Sequence, residues 1–329
     1  MKALLSGILL LGMAPTLFAG PASSPQQIPV TLKIAAGTLH GTLELPSSKA
    51  PFPVALIIAG SGPTDRDGND KQLGLDTDCY KLLAEALAQN GIASLRYDKR
   101  GAGEDMLLAL PEDKLRFETY IDDAVAWGRQ LRADRRFSTL TIIGHSEGSL
   151  IGMIAAREIF ADAYVSIAGA GQPIQEVLRT QLKPKLPPDL YRQAERIIHS
   201  LEQGKTVAQV PASLAALFRP SVQPYLISWF KYDPAKEIAQ LRTPVLIVQG
   251  ERDLQVRVAD AEDLKKADSA ARLVLIPDMN HVFKDVGSGQ EANMAAYFNP
   301  KLPIDPKLSA SIAGFIHALQ PATGDHHAH

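Results

Sequence analysis

The stretch Thr141 to Leu150, TIIGHSEGSL, contains a serine whose surroundings would allow it to act as a nucleophile. Gly144, Ser146 and Gly148 match the pattern G-x-S-x-G, in which the serine sits on a tight turn between a strand and a helix. Glycine fits two residues before and two residues after the serine because it has no Cβ to clash within the turn. An apolar strand pattern precedes the motif, and a helical pattern over residues 147–159 follows it. We therefore predict that Ser146 is a nucleophile, rather than a small residue of an ordinary turn.

A serine hydroxyl becomes a good nucleophile only when a nearby base takes its proton. His281, in the stretch IPDMNHVF, directly follows the last predicted strand and should lie at the same sheet edge as Ser146. Four other histidines are less suitably placed. His40 lies in a predicted N-terminal hairpin, and His145 is the immediate neighbour of the serine. His199 lies in a helical insertion, and His317 lies in the last predicted helix. We therefore predict that His281 is the base.

The base in turn needs a carboxylate that orients its ring and stabilises its protonated form. In the G-x-S-x-G arrangement this acid lies between the serine and the histidine in chain order. Asp253, in VLIVQGERDLQV, comes just after a predicted strand and a glycine that permits a tight turn. We predict that Asp253 is the acid, and Glu251 and Asp278 remain alternatives because they lie close to the same strand ends.

Acyl transfer also needs two N–H groups that bind the oxyanion. The N–H of Glu147, the residue after the predicted nucleophile, should be one of them. The other should come from the glycine-rich loop GSGPTDRDGN, with Ser61 as the first candidate and Gly62 as the second. A phosphate-binding role for this loop is the competing interpretation, but the loop contains neither G-K-[ST] nor G-x-G-x-x-G.

The elements that must position these residues follow an alternating pattern. Short apolar runs rich in Val, Ile and Leu alternate with helical segments, which predicts an α/β fold with a mostly parallel sheet covered by helices on both faces. Before them, VTLKIAAGTLHGTLELP predicts an antiparallel hairpin. The predicted strands of the main sheet are residues 53–60, 92–98, 140–145, 163–169, 244–250 and 272–278.

One region, residues 172–238, lacks a strand pattern and is helical or rich in proline. Since ligands of open α/β sheets bind at the carboxyl ends of the strands, we predict that this insertion is a helical cap over the site. The cap contains several aromatic residues, and we predict that Tyr225, Trp229 and Phe230 bind substrate. The alternative for each of them is that it packs the cap onto the core.

The first residues, MKALLSGILLLGMAPTLFAG, have one early cation, an apolar run and then small residues, as in a secretory signal peptide. We expect a signal peptide over residues 1–22, cut after Ala19 or Ala22, and a periplasmic or secreted protein without a membrane anchor. An uncleaved anchor is the alternative, although the run is shorter than the roughly 20 residues of a spanning helix. Cys79 is the only cysteine, so no internal disulfide is expected.

Composition limits the classes of partner. With 329 residues, 46% of them hydrophobic, the chain can form one large folded domain, expected over residues 23–320. A net charge of −2 leaves no basic surplus for nucleic acid, so a small molecule is the expected partner. The chemistry predicted above requires no metal or other cofactor. We expect the histidine-containing tail, residues 321–329, to be a disordered terminus rather than a metal site.

Five motifs occur together in one order: GSGPTDRDGN, RYDKRGAGE, GHSEGS, GERDLQV and MNHVFK. With them the chain resembles serine hydrolases of the α/β-hydrolase superfamily, in particular bacterial esterases and serine-aminopeptidase-like (S33-type) hydrolases. The resemblance covers about residues 30–319, cap included. It implies the α/β-hydrolase fold with a nucleophile at Ser146, an acid at Asp253 and a base at His281. It does not determine the substrate, because these relatives include esterases, thioesterases and peptidases.

Several functions remain open at this stage. The expected one is cleavage of carboxylic esters with short to medium acyl chains through an acyl-enzyme intermediate. A peptidase or amidase would need acids that grip a free amine, for which Glu147, Glu176 and Glu195 are candidates. A thioesterase and a non-catalytic binding protein are further alternatives.

Charged residues near the site have expected roles in bracing its loops. We expect Arg100 to pair with a carboxylate such as Asp98, and Asp65, Arg66 and Asp67 to hold the glycine-rich loop by ion pairs. The side chain of Glu147 has no role that follows from the sequence.

Overall fold

The computed structural model describes residues 25–319, and its centre is one eight-stranded sheet. In chain order the strands are β1 (Gln26–Ile34), β2 (Gly37–Leu45), β3 (Phe52–Ile58), β4 (Ala93–Tyr97), β5 (Phe137–His145), β6 (Ala163–Ile167), β7 (Val245–Gly250) and β8 (Arg272–Ile276). Across the sheet their order is β1-β2-β4-β3-β5-β6-β7-β8. The β1–β2 and β2–β4 pairs are antiparallel and all other neighbours are parallel, which confirms the predicted hairpin and mostly parallel sheet.

The predicted strands are found, but their ends differ by up to three residues. β5 begins at Phe137 rather than at residue 140, and β6 ends at Ile167, where Ala168 turns the chain with φ 49°. β8 is one of the two edge strands, and of its residues only Ile276 is fully buried. The interior strands β3, β4 and β7 are buried along their whole length, because helices cover both faces there.

Helices cover the sheet on both faces. The helices are α1 (Cys79–Gln89), α2 (Phe117–Ala133), α3 (Glu147–Glu158), α4 (Ile174–Leu182), α5 (Pro188–Glu202), α6 (Ala215–Phe218), α7 (Gln223–Trp229), α8 (Pro234–Ile238), α9 (Val258–Ala267), α10 (Gln290–Ala295) and α11 (Pro306–His317). One apolar cluster joins α2, α3 and α9 to the sheet, and a second joins α1 and α11 to it. The two clusters form the two layers of the core.

Helices α4 to α8 lie between β6 and β7, in the region predicted to be a cap. They enclose an apolar cluster of their own that includes Ile198, Leu201, Phe218 and Phe230. This insertion is joined to the main core by α2, whose Phe117 N–H donates a hydrogen bond of 2.8 Å to the buried hydroxyl of Ser228. The insertion therefore has a small core and a fixed contact with the sheet domain.

The predicted signal peptide, residues 1–22, and the tail, residues 321–329, lie outside the described residues. Between residues 25 and 319, no helix combines the length and the apolar character that crossing a bilayer requires. In the same part of the chain, no three side chains of His, Cys, Asp or Glu converge in a way that would hold a metal ion.

Candidate active site

Ser146 lies on the turn between β5 and α3, at the carboxyl end of a central strand. Its backbone has φ 54° and ψ −120°, an uncommon conformation for a residue with a side chain. The turn is tight enough to require both glycines of the motif. A Cβ on Gly144 would lie 2.2 Å from the Gly148 carbonyl oxygen, and one on Gly148 would lie 2.4 Å from the carbonyl oxygens of Ile58 and Ala59. The strand–turn–helix setting predicted for Ser146 is therefore present.

His281 and Asp253 meet beside this turn. His281 Nδ1 lies 2.7 Å from Asp253 Oδ2, and both side chains are almost fully buried. Asp253 Oδ1 accepts hydrogen bonds from the N–H groups of Gln255 and Val256, at 2.7 and 2.9 Å. Because the carboxylate holds a proton on Nδ1, the Nε2 atom of the neutral ring is left as a proton acceptor.

Asp253 is suited to remain ionised next to the histidine. Burial by itself would raise the pKa of its carboxyl group. The His281 imidazole and the hydrogen bonds from His281, Val256 and Gln255 outweigh burial and hold this pKa below its ordinary value of 3.8. The two alternative acids differ: Glu251 is exposed, and Asp278 is about half exposed and lies 3.6 Å from Arg252.

A cavity of about 180 Å³ lies between Ser146 and the cap. Trp229, one of the three aromatic residues predicted to bind substrate, lines it. Tyr225 and Phe230 do not line it: Tyr225 packs against the ring of Phe117 and Phe230 belongs to the apolar cluster of the cap. The structure thus brings one of the three predicted aromatic residues to the cavity. Its other lining residues are Ser61, Ser146, Glu147, Leu150, Ala170, Gln172, Ile174, Val177, Gln181, Pro234, Gln255 and Val256.

A second cavity, of about 170 Å³, shares Ser61, Ser146 and Gln255 with the first. It is the one that His281 reaches. Within residues 25–319, neither the Ser146 hydroxyl nor His281 Nε2 has a hydrogen-bond partner, so both are open to a substrate. The serine therefore lies where two cavities meet, and the histidine opens into only one of them.

Two of the three predicted oxyanion donors, Ser61 and Glu147, lie next to these cavities. Ser61 lines both cavities and Glu147 lines the first, whereas Gly62 lines neither. Among the described residues, the N–H groups of Ser61 and Glu147 donate to no other protein group. Glu147 is also the first residue of α3, where the N–H groups of a helix attract negative charge.

A buried hydrogen-bond chain, not predicted from the sequence, ties the glycine-rich loop to the histidine loop. The Gly60 N–H donates to the Tyr80 hydroxyl at 2.9 Å, and that hydroxyl lies 2.7 Å from His145 Nδ1. His145 Nε2 lies 3.0 Å from the His281 carbonyl oxygen, which can only accept, so Nε2 carries the proton and Nδ1 accepts from Tyr80. Burial, followed by the nearby His281, holds the pKa of His145 well below 6.5, which keeps its ring neutral.

A second unpredicted feature is a buried ion pair between Lys99 and Glu147, the residue that follows Ser146. Lys99 Nζ lies 2.9 Å from Glu147 Oε1 and 2.9 Å from the Gly60 carbonyl oxygen. Burial would lower the pKa of Lys99, but the Glu147 carboxylate more than compensates, so this pKa is raised and the amine is charged. Lys99 lies inside the RYDKRGAGE motif, but nothing in the sequence links it to Glu147, which is 48 positions away.

Ion pairs brace the loops around the site, with one partner different from that expected. Arg66 pairs with Asp98, and Arg96 pairs with Asp67 at 2.9 Å, so Arg66 and Asp67 hold the glycine-rich loop by ion pairs as predicted. The ion pair expected of Asp65 is not found among the described residues; its carboxylate instead accepts hydrogen bonds from the N–H groups of Asp67 and Asn69, at 3.0 and 2.9 Å. The expected pairing of Arg100 with Asp98 is wrong. Arg100 reaches α2 instead and makes two hydrogen bonds of 2.7 Å with Asp123, because Asp98 is already occupied by Arg66.

Comparison with known proteins shows that the chain is similar to hydrolases. The model of the family described as serine aminopeptidase, S33, matches residues 73–283. Esterase EstD from Thermotoga maritima is 28% identical to the chain over 283 residues, which cover 85% of this chain. The chain spans 66% of EstD, just under two thirds of the length of that relative.

Two solved structures illustrate the shared fold. Est1E from Butyrivibrio proteoclasticus is 19% identical, with a TM-score of 0.59, and the match covers 88% of this chain and 98% of Est1E. An α/β serine hydrolase without a lid from Xanthomonas campestris is 17% identical, with a TM-score of 0.53, and the match covers 93% of this chain and 100% of that protein. These similarities confirm the predicted α/β-hydrolase fold.

Proposed function

Because the chain belongs to the serine aminopeptidase S33 family of α/β-hydrolases, we propose that it is a serine hydrolase that cleaves carboxylic esters of small molecules. The observation that carries the proposal is the position of Ser146. Its hydroxyl is held on a strained turn and opens onto the cavity that His281, paired with Asp253, also lines. The esterase name of the Thermotoga relative supports the same choice of substrate class.

The proposed reaction proceeds in two steps through an acyl-enzyme. His281 Nε2 takes the proton of the Ser146 hydroxyl as the oxygen attacks the ester carbonyl, and the Asp253 carboxylate stabilises the resulting imidazolium. The N–H groups of Ser61 and Glu147 bind the oxyanion. The C–O bond of the ester then breaks, and His281 gives its proton to the departing alcohol. Water, deprotonated by the same histidine, releases the acid and restores the serine.

The two cavities suggest where each half of the ester lies. His281 must reach the departing oxygen, so we assign the alcohol to the cavity that this histidine lines. The acyl group then occupies the cavity under the cap, between Leu150, Val177 and Trp229. With about 180 Å³ this cavity is smaller than the roughly 300 to 1,000 Å³ of common ligand sites, which favours a short acyl chain.

The pairing of the acids favours esters over amine-bearing peptides. An aminopeptidase needs a carboxylate that is free to bind the substrate amine. The three acids considered for this task are each occupied, since Glu147 pairs with Lys99, and Glu176 and Glu195 pair with Arg179. We therefore rank a peptidase below an esterase, although the description of the family keeps it as the second candidate.

Replacement of the nucleophile tests the proposal directly. Ser146→Ala should abolish hydrolysis of p-nitrophenyl acetate and labelling by a fluorophosphonate probe, while the circular dichroism spectrum stays that of the wild type. Ser149→Ala is the matched control, because Ser149 is buried and bonded to Tyr164 and Ser166. This control should keep most of the turnover. An Ser146→Ala variant with wild-type turnover would show that the assignment is wrong.

A substrate panel distinguishes the two candidate classes. The wild type should hydrolyse p-nitrophenyl esters, with kcat/KM highest for short acyl chains, far faster than amino-acid p-nitroanilides and the matched thioesters. A preference for the anilides would make the protein an aminopeptidase and would reject the esterase proposal.

We also propose that the protein is exported, with the N-terminal sequence as support. The apolar run between Lys2 and the small residues near Ala19 and Ala22 is typical of a cleaved signal peptide. N-terminal sequencing of the mature protein should find a chain that begins after one of these alanines. A mature chain that still begins at Met1 would contradict export.

A further inference from the structure

The ion pair between Lys99 and Glu147 needs an explanation beyond stability. Both side chains are almost fully buried, and the Lys99 ammonium also lies 4.1 Å from the centre of the Tyr120 ring. Removing two charges from water costs several kcal/mol per ion, so a buried pair is often no more stabilising than apolar residues of the same size. The position of this pair, directly behind the predicted oxyanion donors, points to a role in the reaction.

Lys99 holds the peptide group that carries one of the donors. The Gly60 carbonyl and the Ser61 N–H belong to the same planar peptide, and in a trans peptide they point in opposite directions. Lys99 Nζ binds the carbonyl at 2.9 Å from the interior of the protein, so the N–H is directed to the other side, where Ser61 lines both cavities. A Cβ on Gly60 would lie 3.3 Å from the Ser146 Cβ, which shows that this peptide is next to the nucleophile.

Glu147 connects the same cation to the second donor. Its side chain accepts from Lys99 at 2.9 Å, while its own N–H begins α3 beside Ser146. The two N–H groups come from different loops, and the ion pair is a direct link between them. The preceding peptide is fixed as well, since the Gly60 N–H donates to the Tyr80 hydroxyl.

We propose that Lys99 and Glu147 are positioning residues. Their side chains hold and polarise the two oxyanion donors, which are the backbone N–H groups of Ser61 and Glu147. This inference rests on the proposed function, because it requires an oxyanion at Ser146. The ammonium attracts electron density from the Gly60 carbonyl, which makes the Ser61 N–H a stronger donor. Donors that are fixed before the reaction need no reorganisation when charge develops on the substrate oxygen.

The test compares a ligand that forms an oxyanion with one that does not. Hexyl trifluoromethyl ketone forms a hemiketal oxyanion with an active serine, and hexyl methyl ketone has the same shape but remains a ketone. Lys99→Met should weaken inhibition by the trifluoromethyl ketone about tenfold or more, and lower kcat to a similar extent. Inhibition by the methyl ketone and KM should change little. Loss of a donor itself typically costs about a hundredfold to a thousandfold in rate, which sets the upper limit.

Arg100→Met is the matched control for a broken ion pair. Arg100 is the next residue in the chain and pairs with Asp123, but it contacts neither Gly60 nor Glu147. This variant should have a lower melting temperature and yet keep the wild-type ratio of the two inhibition constants. A purely structural role of Lys99 would give the same unchanged ratio in Lys99→Met, and that result would overturn the inference.

A second variant covers the case in which Lys99→Met does not fold because the Glu147 carboxylate is left unpaired. The double variant Lys99→Met/Glu147→Leu removes both charges and keeps the backbone N–H of residue 147. It should fold and show the same selective loss of affinity for the trifluoromethyl ketone. A folded double variant with wild-type affinity for that ketone would overturn the inference. Wild-type protein that neither turns over esters nor reacts with a fluorophosphonate would instead overturn the proposed function.

Discussion

At the scale of single residues, the site depends on which nitrogen of each histidine carries a proton. His281 has Nδ1 bound to Asp253, so Nε2 is left as a proton acceptor, as the proposed role of a base requires. His145 is held in the opposite tautomer, with the proton on Nε2, by Tyr80 and the His281 carbonyl. Two neighbouring imidazoles therefore have different tasks because their hydrogen-bond partners differ. One is open to the cavity, and the other joins two loops.

Asp253→Asn should lower kcat for p-nitrophenyl acetate about ten-thousandfold, because an amide N–H facing Nδ1 forces the wrong tautomer on His281. Asp278→Asn, at the alternative acid, should stay within about twofold of the wild type, since Asp278 is half exposed and, among the described residues, pairs only with Arg252. Steady-state kinetics of both variants, with circular dichroism as a check of folding, measure the difference. If Asp278→Asn were the inactive variant, the acid would be misassigned.

His145 should make stability depend on pH. Its pKa in the folded state lies well below 6.5, its value in an unfolded chain, so below pH 6.5 the unfolded state binds more protons. Stability is unaffected by this group above pH 6.5 and falls as the pH decreases, by up to about 1.4 kcal/mol per pH unit. His145→Gln can keep both hydrogen bonds but cannot titrate. Urea unfolding of both proteins between pH 7 and 5 should give a flatter curve for the variant, and parallel curves would contradict the assignment.

At the scale of elements, the strand–turn–helix unit of β5 and α3 determines where Ser146, the proposed nucleophile, lies. Strain at Ser146 persists only because the neighbouring backbone leaves no other path. The carbonyl oxygens of β3 and of the chain just after it lie against Gly148, so α3 packs directly on the adjacent strand. The same contact brings the glycine-rich loop, which follows β3, next to the serine. One close packing contact thus positions both the proposed nucleophile and a proposed oxyanion donor.

Gly148→Ala should disrupt this unit. Its Cβ would lie 2.4 Å from two backbone oxygens, so α3 must move, and we expect a loss of about 2 kcal/mol or more in the free energy of unfolding together with most of the activity. Gly314→Ala in α11 is the control, since no described atom beyond the adjoining residues and backbone of its own helix lies within 4 Å of its Cβ position. The free energy of unfolding of this control should equal that of the wild type or exceed it by up to about 1 kcal/mol. Chemical unfolding and ester turnover test both, and an active, stable Gly148→Ala variant would refute the steric argument.

At the scale of the whole molecule, the parallel strands bring distant parts of the chain to one edge of the sheet. The loops after β3, β5, β7 and β8 carry Ser61, Ser146, Asp253 and His281 in that order. The insertion between β6 and β7 lies over this edge and lines the cavity proposed for the acyl group. Cys79 is buried and forms no disulfide, so the described part of the chain is stabilised by its apolar layers rather than by a covalent cross-link.

Cys79 should therefore report on global unfolding. Burial raises the pKa of its thiol to about 12, and the thiolate is the reactive form. In native buffer at pH 8, Ellman's reagent should react with it only slowly, and in denaturant the reaction should be complete within minutes. Absorbance of the released thiolate, compared with Cys79→Ala as a blank, gives the two rates. Rapid stoichiometric reaction of the native protein would mean that α1 opens independently of the core.

The sequence by itself was sufficient for the local features: the alternating strands and helices, the G-x-S-x-G turn, and the positions of Asp253 and His281 just after strands. These features depend on neighbouring residues, whose spacing is visible in the chain. Only the tertiary structure decided which side chains meet across long separations. It paired Arg100 with Asp123 rather than Asp98, packed Tyr225 and Phe230 into apolar clusters outside the cavity lining, and placed Lys99 against Glu147. Such contacts depend on how whole helices and strands pack. A buried charge needs a partner of opposite charge, and the packing of these elements determines which residue lies close enough to be that partner.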